Sequence, residues 1–228
     1  MHVAPPRAIV TDIEGTTTSL AFVHDVLFPY ARRNLRHFIA RHGDDPRVQA
    51  QLLQVDPDPQ RAVQTLERWI DEDRKATPLK ALQGMLWARG YAAGELRGHV
   101  YPDAARALRR WHDMHIPLYV YSSGSIEAQR LIFGYSDQGD LTPLFAGYFD
   151  TTTGLKVETT SYQIIANAIG CNPGEILFLS DNPHELHAAA QAGWHVTQVL
   201  RDGVVADARF EQAQTFDQID FVPRITHF

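Results

Sequence analysis

Cysteine is nearly absent: Cys171 stands alone, so no disulfide can form within the chain, and a reducing, cytoplasmic setting is expected. Long apolar runs are missing as well. No stretch approaches the ~18 consecutive apolar residues that span a bilayer, so no membrane partner is expected. The first residues, MHVAPPR, lack the apolar stretch of a secretory signal. There is no block of lysine and arginine. With 21 basic and 27 acidic residues the formal charge is −6, and nothing offers the row of cations that neutralises nucleic-acid phosphates. A small molecule is the favoured partner. The eleven histidines show no zinc-ligand spacing; His184 and His187 lie one helical turn apart, but no partner cluster accompanies them.

What is present is enough apolar material for a filled core. A chain of 228 residues, 44% hydrophobic, can form one α/β unit and a smaller second one. Short apolar runs read as strands at Ala8 to Thr11, Leu118 to Tyr121, Gly147 to Phe149, Ile176 to Leu179 and His195 to Val199. Helical patterns alternate with them, which implies right-handed crossovers and a doubly wound parallel sheet covered on both faces. Ala104, Ala107, Leu108 and Trp111 recur at i, i+3, i+4, i+7 behind Pro102 and Asp103, a helix with one buried stripe. Another helix follows the fourth strand. Asn182 is its expected N-cap, Pro183 its first residue, Leu186, Ala189 and Ala190 its buried stripe, and Gly193 its end.

The segment from Leu20 to His99 separates the first strand from the next and is too long for a loop. Val26 to Ala40, Val48 to Leu53, Arg61 to Asp73 and Leu79 to Arg89 have helical spacing, punctuated by Pro57, Pro59 and Gly90. The expected organisation is therefore a core of residues 1–19 and 100–228 with an all-helical subdomain, 20–99, inserted after the first strand. Trp69, Leu82, Met85, Leu86 and Trp87 read mostly as that subdomain's own core. Arg74, Lys75 and Lys80 read as surface charges, with Lys80 beside Gln83 the preferred candidate for a ligand contact.

In a doubly wound sheet, ligands bind beyond the carboxyl ends of the strands where the strand order reverses. Four strand ends carry polar groups. AIVTDIEGTTTS delivers Asp12 into a turn, with Glu14 two residues on and Gly15 free to reverse the chain beside a ligand. PLYVYSSGSIE ends in Ser122, Ser123 and Gly124, which offer hydroxyls and free backbone N–H groups to an anion; Ser125 reads as a helix N-cap. ILFLSD ends in Asp181, which with Asp12 supplies two hard oxygen ligands suited to Mg²⁺. Each feature alone is equally compatible with ordinary turn and cap chemistry; their coincidence at four strand ends favours a site. Lys156, in TTTGLKVETTSY, meets a physical need there. Carboxylates gathered about a phosphate repel it by roughly 4 kcal/mol per close pair at ~4 Å and an effective dielectric near 20, and a fixed ammonium offsets part of that.

These four pieces, in this order, resemble the haloacid dehalogenase superfamily. At finer grain DIEGTTTS, YSSGSIEAQ, FDTTTGLKVETTSY, ILFLSDN and the insert segment DEDRKATPLKALQGMLWARGY resemble the enolase-phosphatases of methionine salvage, also called acireductone synthases. Glu14 stands where most superfamily phosphatases carry aspartate; dehalogenases have no acid there and transport ATPases have threonine. The part after Leu200 matches the family less well and carries none of the residues used so far.

The resemblance implies a phosphatase in which Asp12 forms an aspartyl-phosphate. One Mg²⁺ per chain would be held by Asp181, the Asp12 carboxylate and the backbone carbonyl of Glu14. Ser122, Ser123, Gly124 and Lys156 would hold the phosphoryl oxygens, and Glu14 would transfer protons. It further implies 2,3-diketo-5-methylthiopentyl-1-phosphate as substrate, enolised and then dephosphorylated to the acireductone, and a monomeric enzyme. The runner-up is a phosphatase of the same superfamily acting on another small phosphate ester. A phospho-accepting receiver module shares the strand-end aspartate but is about half as long and has no such insert.

Overall fold

A computed structural model of the chain describes residues 5–74, 76–201 and 203–221; Lys75 lies outside the described residues. The chain divides into two compact units, 1–20 with 98–228, and 21–97.

The first unit is built on a sheet whose strands are β1 (Ala8–Thr11), β2 (Leu118–Tyr121), β3 (Phe145–Phe149), β4 (Ile176–Ser180), β5 (His195–Val199) and β6 (Glu211–Ala213). Their order is β3-β2-β1-β4-β5-β6 and every pairing is parallel. The order reverses between β1 and β4, so the tips of those two strands border the crevice where such sheets bind ligands. β3 begins two residues earlier than its apolar run suggests, and β6, the polar triplet EQA, has no strand signal in the sequence.

Ala8, Val10, Tyr121 and Phe178 form a buried core with Tyr162, Ile165, Leu186, Ala189 and Trp194, the latter set brought by or next to the helices Thr159–Ile169 and Pro183–Gln191. The Tyr162 ring meets Phe178 and Trp194 edge-on, with centroids 5.3 Å away in both cases, the geometry that aromatic quadrupoles favour. The helix Pro102–Asp113 buries Ala104, Ala107, Leu108 and Trp111 completely, the stripe its spacing predicts, and Trp111 packs on Phe216. In the helix Pro183–Gln191 the prediction needs correction. Asn182 caps it by accepting from the His184 amide, but the buried positions are Glu185, Leu186, Ala188 and Ala189, while Ala190 is exposed. The stripe is rotated so that a glutamate faces inward.

The second unit is all helical among its described residues. The short helix Leu20–Phe22, which begins one residue before this unit, runs into a π-helical turn, Val23–Leu27, and the unit continues as Phe28–His42, Pro46–Val55, Pro59–Asp71 and Thr77–Ala92. Asp45 and Asp58 cap the helices that begin with Pro46 and Pro59, and this aspartate-proline pairing sets their starts because proline needs no N–H partner at the first position. Leu35, Leu66 and Leu82 are wholly buried, with Leu86 and Trp87 close to that. Trp69 and Met85 are half-buried, and the Arg74 guanidinium lies 4.6 Å from the centre of the Trp69 ring. The Trp87 indole donates to the Leu27 carbonyl at the end of the π turn, 3.0 Å away. Lys80 is half-buried and Gln83 buried.

Candidate active site

The tips of β1 and β4 lie side by side: Thr11 pairs with Leu179, and the Asp12 amide donates to the Leu179 carbonyl. Adjacent strands run ~4.8 Å apart, so Asp12 and Asp181 leave the sheet at neighbouring points. Asp12 is 5% exposed. Its carboxylate accepts from the Ile13 amide at 2.7 Å, and its carbonyl accepts from the Thr11 and Thr17 hydroxyls. The Ile13 bond orients the carboxylate, and the two hydroxyls hold the backbone that carries it.

Lys156 points into the same place. Its ammonium lies 2.6 Å from Asp12 Oδ1 and 2.6 Å from Glu185 Oε2, with the lysine 6% exposed. Burial works against the charge, but the flanking carboxylates of Asp12 and Glu185 outweigh it and hold the ammonium above the usual lysine range. The backbone that carries Lys156 is pinned by three hydroxyls: Tyr121 donates to the Gly154 carbonyl, Ser161 to that of Leu155, and Tyr162 to that of Lys156. A lysine on so constrained a loop loses little further freedom when it meets a ligand.

Asp181 is held differently. Its amide donates to the Thr16 hydroxyl at 3.0 Å, its side chain sits 3.5 Å from that hydroxyl, and Gln198 donates to its carbonyl. Burial first, and the negative Asp12 next, push its carboxyl up to about 6. Gly15 adopts a φ of +73°, and a Cβ there would run into the Asp181 carboxylate. Glycine takes that conformation without strain and, having no Cβ, leaves that space. The Asp12, Asp181 and Glu185 carboxylates thus face a single ammonium. The uncompensated negative charge lies beside Asp181, at the spot two strand tips share, and it suits a small hard cation.

The Ser122 to Gly124 turn completes the rim. Ser122 is buried, its amide donates to the Phe149 carbonyl, and its hydroxyl accepts from the Gly124 amide. The Gly124 N–H is therefore already engaged, whereas Ser123 is half-buried. Gln129 donates to both Gly124 and Phe149 carbonyls, tying the turn to the end of β3. Ser125 caps the helix Ile126–Gly134, the role its position suggests. Glu14 is half-buried in the turn that follows Asp12 and forms a bridge with Thr18.

Two residues in this cluster were not anticipated. Glu185 is not among the expected site residues, yet it is 7% exposed, accepts from Lys156 and Ser180, and is pushed upward first by burial and then by Asp12. Its place one turn before Ala189 on the buried stripe is the signal that would have found it. Arg201, beyond Leu200 in the part that carried no expectation, donates to the Thr16 carbonyl at 3.0 Å. Among the described residues no group of three or more His, Cys, Asp or Glu side chains is arranged to hold a metal. A cation here would have two carboxylates and must complete its shell with carbonyl, phosphate or water oxygens.

A doubly wound sheet with an aspartate at the tip of β1, a buried lysine and a second aspartate across the switch point defines a class. Residues 6–193 match the haloacid dehalogenase-like hydrolases, and the chain belongs to that family. More narrowly, it is 58% identical to the enolase-phosphatase E1 of Pseudomonas aeruginosa (strain UCBPP-PA14), over 86% of this chain and 91% of that one. It is 53% identical to the enolase-phosphatase E1 of Serratia proteamaculans (strain 568), over 94% and 96%. The chain is thus a member of the enolase-phosphatase E1 family. The crystal structure of the UTR4 protein of Saccharomyces cerevisiae superposes with a TM-score of 0.82 at 34% identity, covering 93% of this chain and 99% of that one. The phosphate complex of CbbY from Rhodobacter sphaeroides shares the fold, with a TM-score of 0.62 at 16% identity. No described helix is long and apolar enough to cross a membrane.

Proposed function

We propose that this chain is a magnesium-dependent enolase-phosphatase that converts 2,3-diketo-5-methylthiopentyl-1-phosphate to the acireductone and phosphate. The observation that carries the reading is the Lys156 ammonium bound at 2.6 Å to Asp12 at the strand-order reversal, with Asp181 beside it. In this reading Asp12 attacks the phosphorus in line and becomes an aspartyl-phosphate, which water then cleaves. Lys156, already between Asp12 and Glu185, accompanies the phosphoryl group and balances its charge. Ser122, through its hydroxyl, and Ser123 at the same turn orient the phosphoryl oxygens, while Gly124, whose N–H is engaged by the Ser122 hydroxyl, shapes the turn rather than supplying the donor expected of it.

The donor set fits magnesium, which keeps several waters and binds through one or two carboxylates plus substrate phosphate. Asp12, Asp181 and the Glu14 carbonyl would hold one ion per chain, and when bound it neutralises charge on the phosphoryl oxygens. Glu14 is the residue assigned to proton transfer, protonating the leaving alkoxide and then activating water, and to abstraction of the proton in enolisation. The helical unit, 21–97, takes the role of the lid that such chemistry needs to exclude water. The substrate is a small phosphorylated diketone, and a cytoplasmic monomer is the proposed form.

The test separates the two half-reactions. Enol formation is followed by absorbance and phosphate release by a coupled assay, with the diketone phosphate as substrate. The wild type is expected to show both; release without an enol would favour a phosphatase for another small ester. Glu14→Gln is expected to slow both steps by about 10²-fold or more. Near-normal accumulation of the enol phosphate in that variant would remove Glu14 from the enolisation.

A further inference from the structure

Arg201 lies two residues beyond the end of β5, at Val199, with its side chain 8% exposed, and it touches three parts of the first unit. Its Nη1 and Nη2 donate to the two carboxylate oxygens of Asp103 at 3.2 and 2.9 Å. Asp103 in turn accepts from the Phe216 amide at 2.8 Å and is held below the usual carboxylate range: burial opposes this, but Arg201 and that amide outweigh it. The guanidinium stacks over the Tyr101 ring at 4.1 Å and lies 5.4 Å from that of Phe216. With Nη1 and Nη2 each engaged by Asp103, Nε donates to the Thr16 carbonyl at 3.0 Å.

Thr16 is wholly buried, and its hydroxyl is the group that accepts from the Asp181 amide and approaches the Asp181 carboxylate. A salt bridge that only joined a helix start to the end of β5 would not need the Nε contact. A bond to the turn between Asp12 and Thr18 adds something a simple brace lacks: the Thr16 backbone is fixed from one side while its side chain fixes Asp181 from the other. Gln198, also fully buried, donates to the Asp181 carbonyl.

We propose that Arg201 is a positioning residue for the divalent cation: through the Thr16 carbonyl and hydroxyl it sets the orientation of Asp181, and so the affinity of the site for Mg²⁺. The inference rests on the magnesium reading given above. Groups that orient metal ligands through hydrogen bonds are typically worth about 10–100-fold in metal affinity. Arginine is required because lysine carries the charge but cannot fork Asp103 while also donating to Thr16.

The experiment measures cation binding directly in the full chain, with Mn²⁺ titrated by electron paramagnetic resonance and Mg²⁺ by the rise in Tm. The variants are Arg201→Lys, which keeps the charge and an ion pair with Asp103, Thr16→Val, and the two combined. Each single variant is expected to weaken the cation by at least about tenfold. At saturating cation, KM for the substrate should stay within about threefold of wild type and most of kcat should return. The double variant should weaken binding no more than the worse single one, because both cut one chain of contacts. Variants that lower Tm yet leave cation affinity within twofold would overturn the proposal and reduce Arg201 to a brace. A wild-type protein that binds no divalent cation would overturn the magnesium reading itself.

Discussion

Asp12→Asn is expected to lower phosphate release by at least about 10⁴-fold while leaving the fold in place, because it removes the only group assigned to attack phosphorus. Asparagine has nearly the same shape, and its carbonyl oxygen can still accept from the Ile13 amide as Asp12 does. Lys156 would lose one of its two carboxylates but keep Glu185, so the ammonium remains paired. The loss should therefore fall on kcat at saturating substrate and cation, with Tm changed by only a few degrees. Stopped-flow phosphate detection with a thermal melt of the same sample measures both. A variant that retained a substantial fraction of wild-type turnover would transfer the nucleophile to another residue.

Lys156→Met is expected to damage stability and catalysis together, for separable reasons. The lysine is almost fully enclosed, with Asp12 and Glu185 both 2.6 Å away. Removing one member of a buried ion cluster strands the others and costs about 3–5 kcal/mol, which for a chain of this size lowers Tm by roughly 6–20 °C. Loss of a fixed cation from the phosphoryl site should lower kcat by about 10²–10³-fold. Adding Glu185→Leu removes one of the two stranded carboxylates and is expected to recover part of the Tm without restoring turnover. If the double variant regained activity as well, Lys156 would be an element of the core alone. The sign of the pH dependence follows from the raised ammonium pKa. The contribution of Lys156 to stability is fully present below its ordinary value of about 10.4 and is lost only as pH rises through the higher value in the folded protein.

The strand tips were legible because apolar runs that end abruptly in Asp, Ser or Gly mark where a parallel sheet meets solvent. Asp12, Ser122 and Asp181 were read from that pattern, and β1, β2 and β5 begin and end where their runs do. Other features depend on information that periodicity does not carry. Glu185 is absent from the expected site residues since a buried carboxylate is intelligible only once its partner Lys156, on a different element, is known. Ala190 was placed on the buried side by a one-position error in the helix phase. Arg201 follows β5 in a segment without regular pattern, and its value comes from Asp103 and Thr16, distant in the sequence. The π turn at Val23–Leu27 breaks the 3.6-residue period on which the helical reading relied, and β6 is too short and too polar to announce itself.

All of these roles depend on Asp12 and Asp181 sharing one cation at the reversal between β1 and β4. A crystal structure of the protein soaked with Mn²⁺ and phosphate, with the anomalous signal locating the metal, tests that most directly. One peak is expected within about 2.0–2.3 Å of a carboxylate oxygen from each of Asp12 and Asp181 and of a phosphate oxygen. A peak bound by only one of them, or at another place with the site otherwise intact, would contradict it.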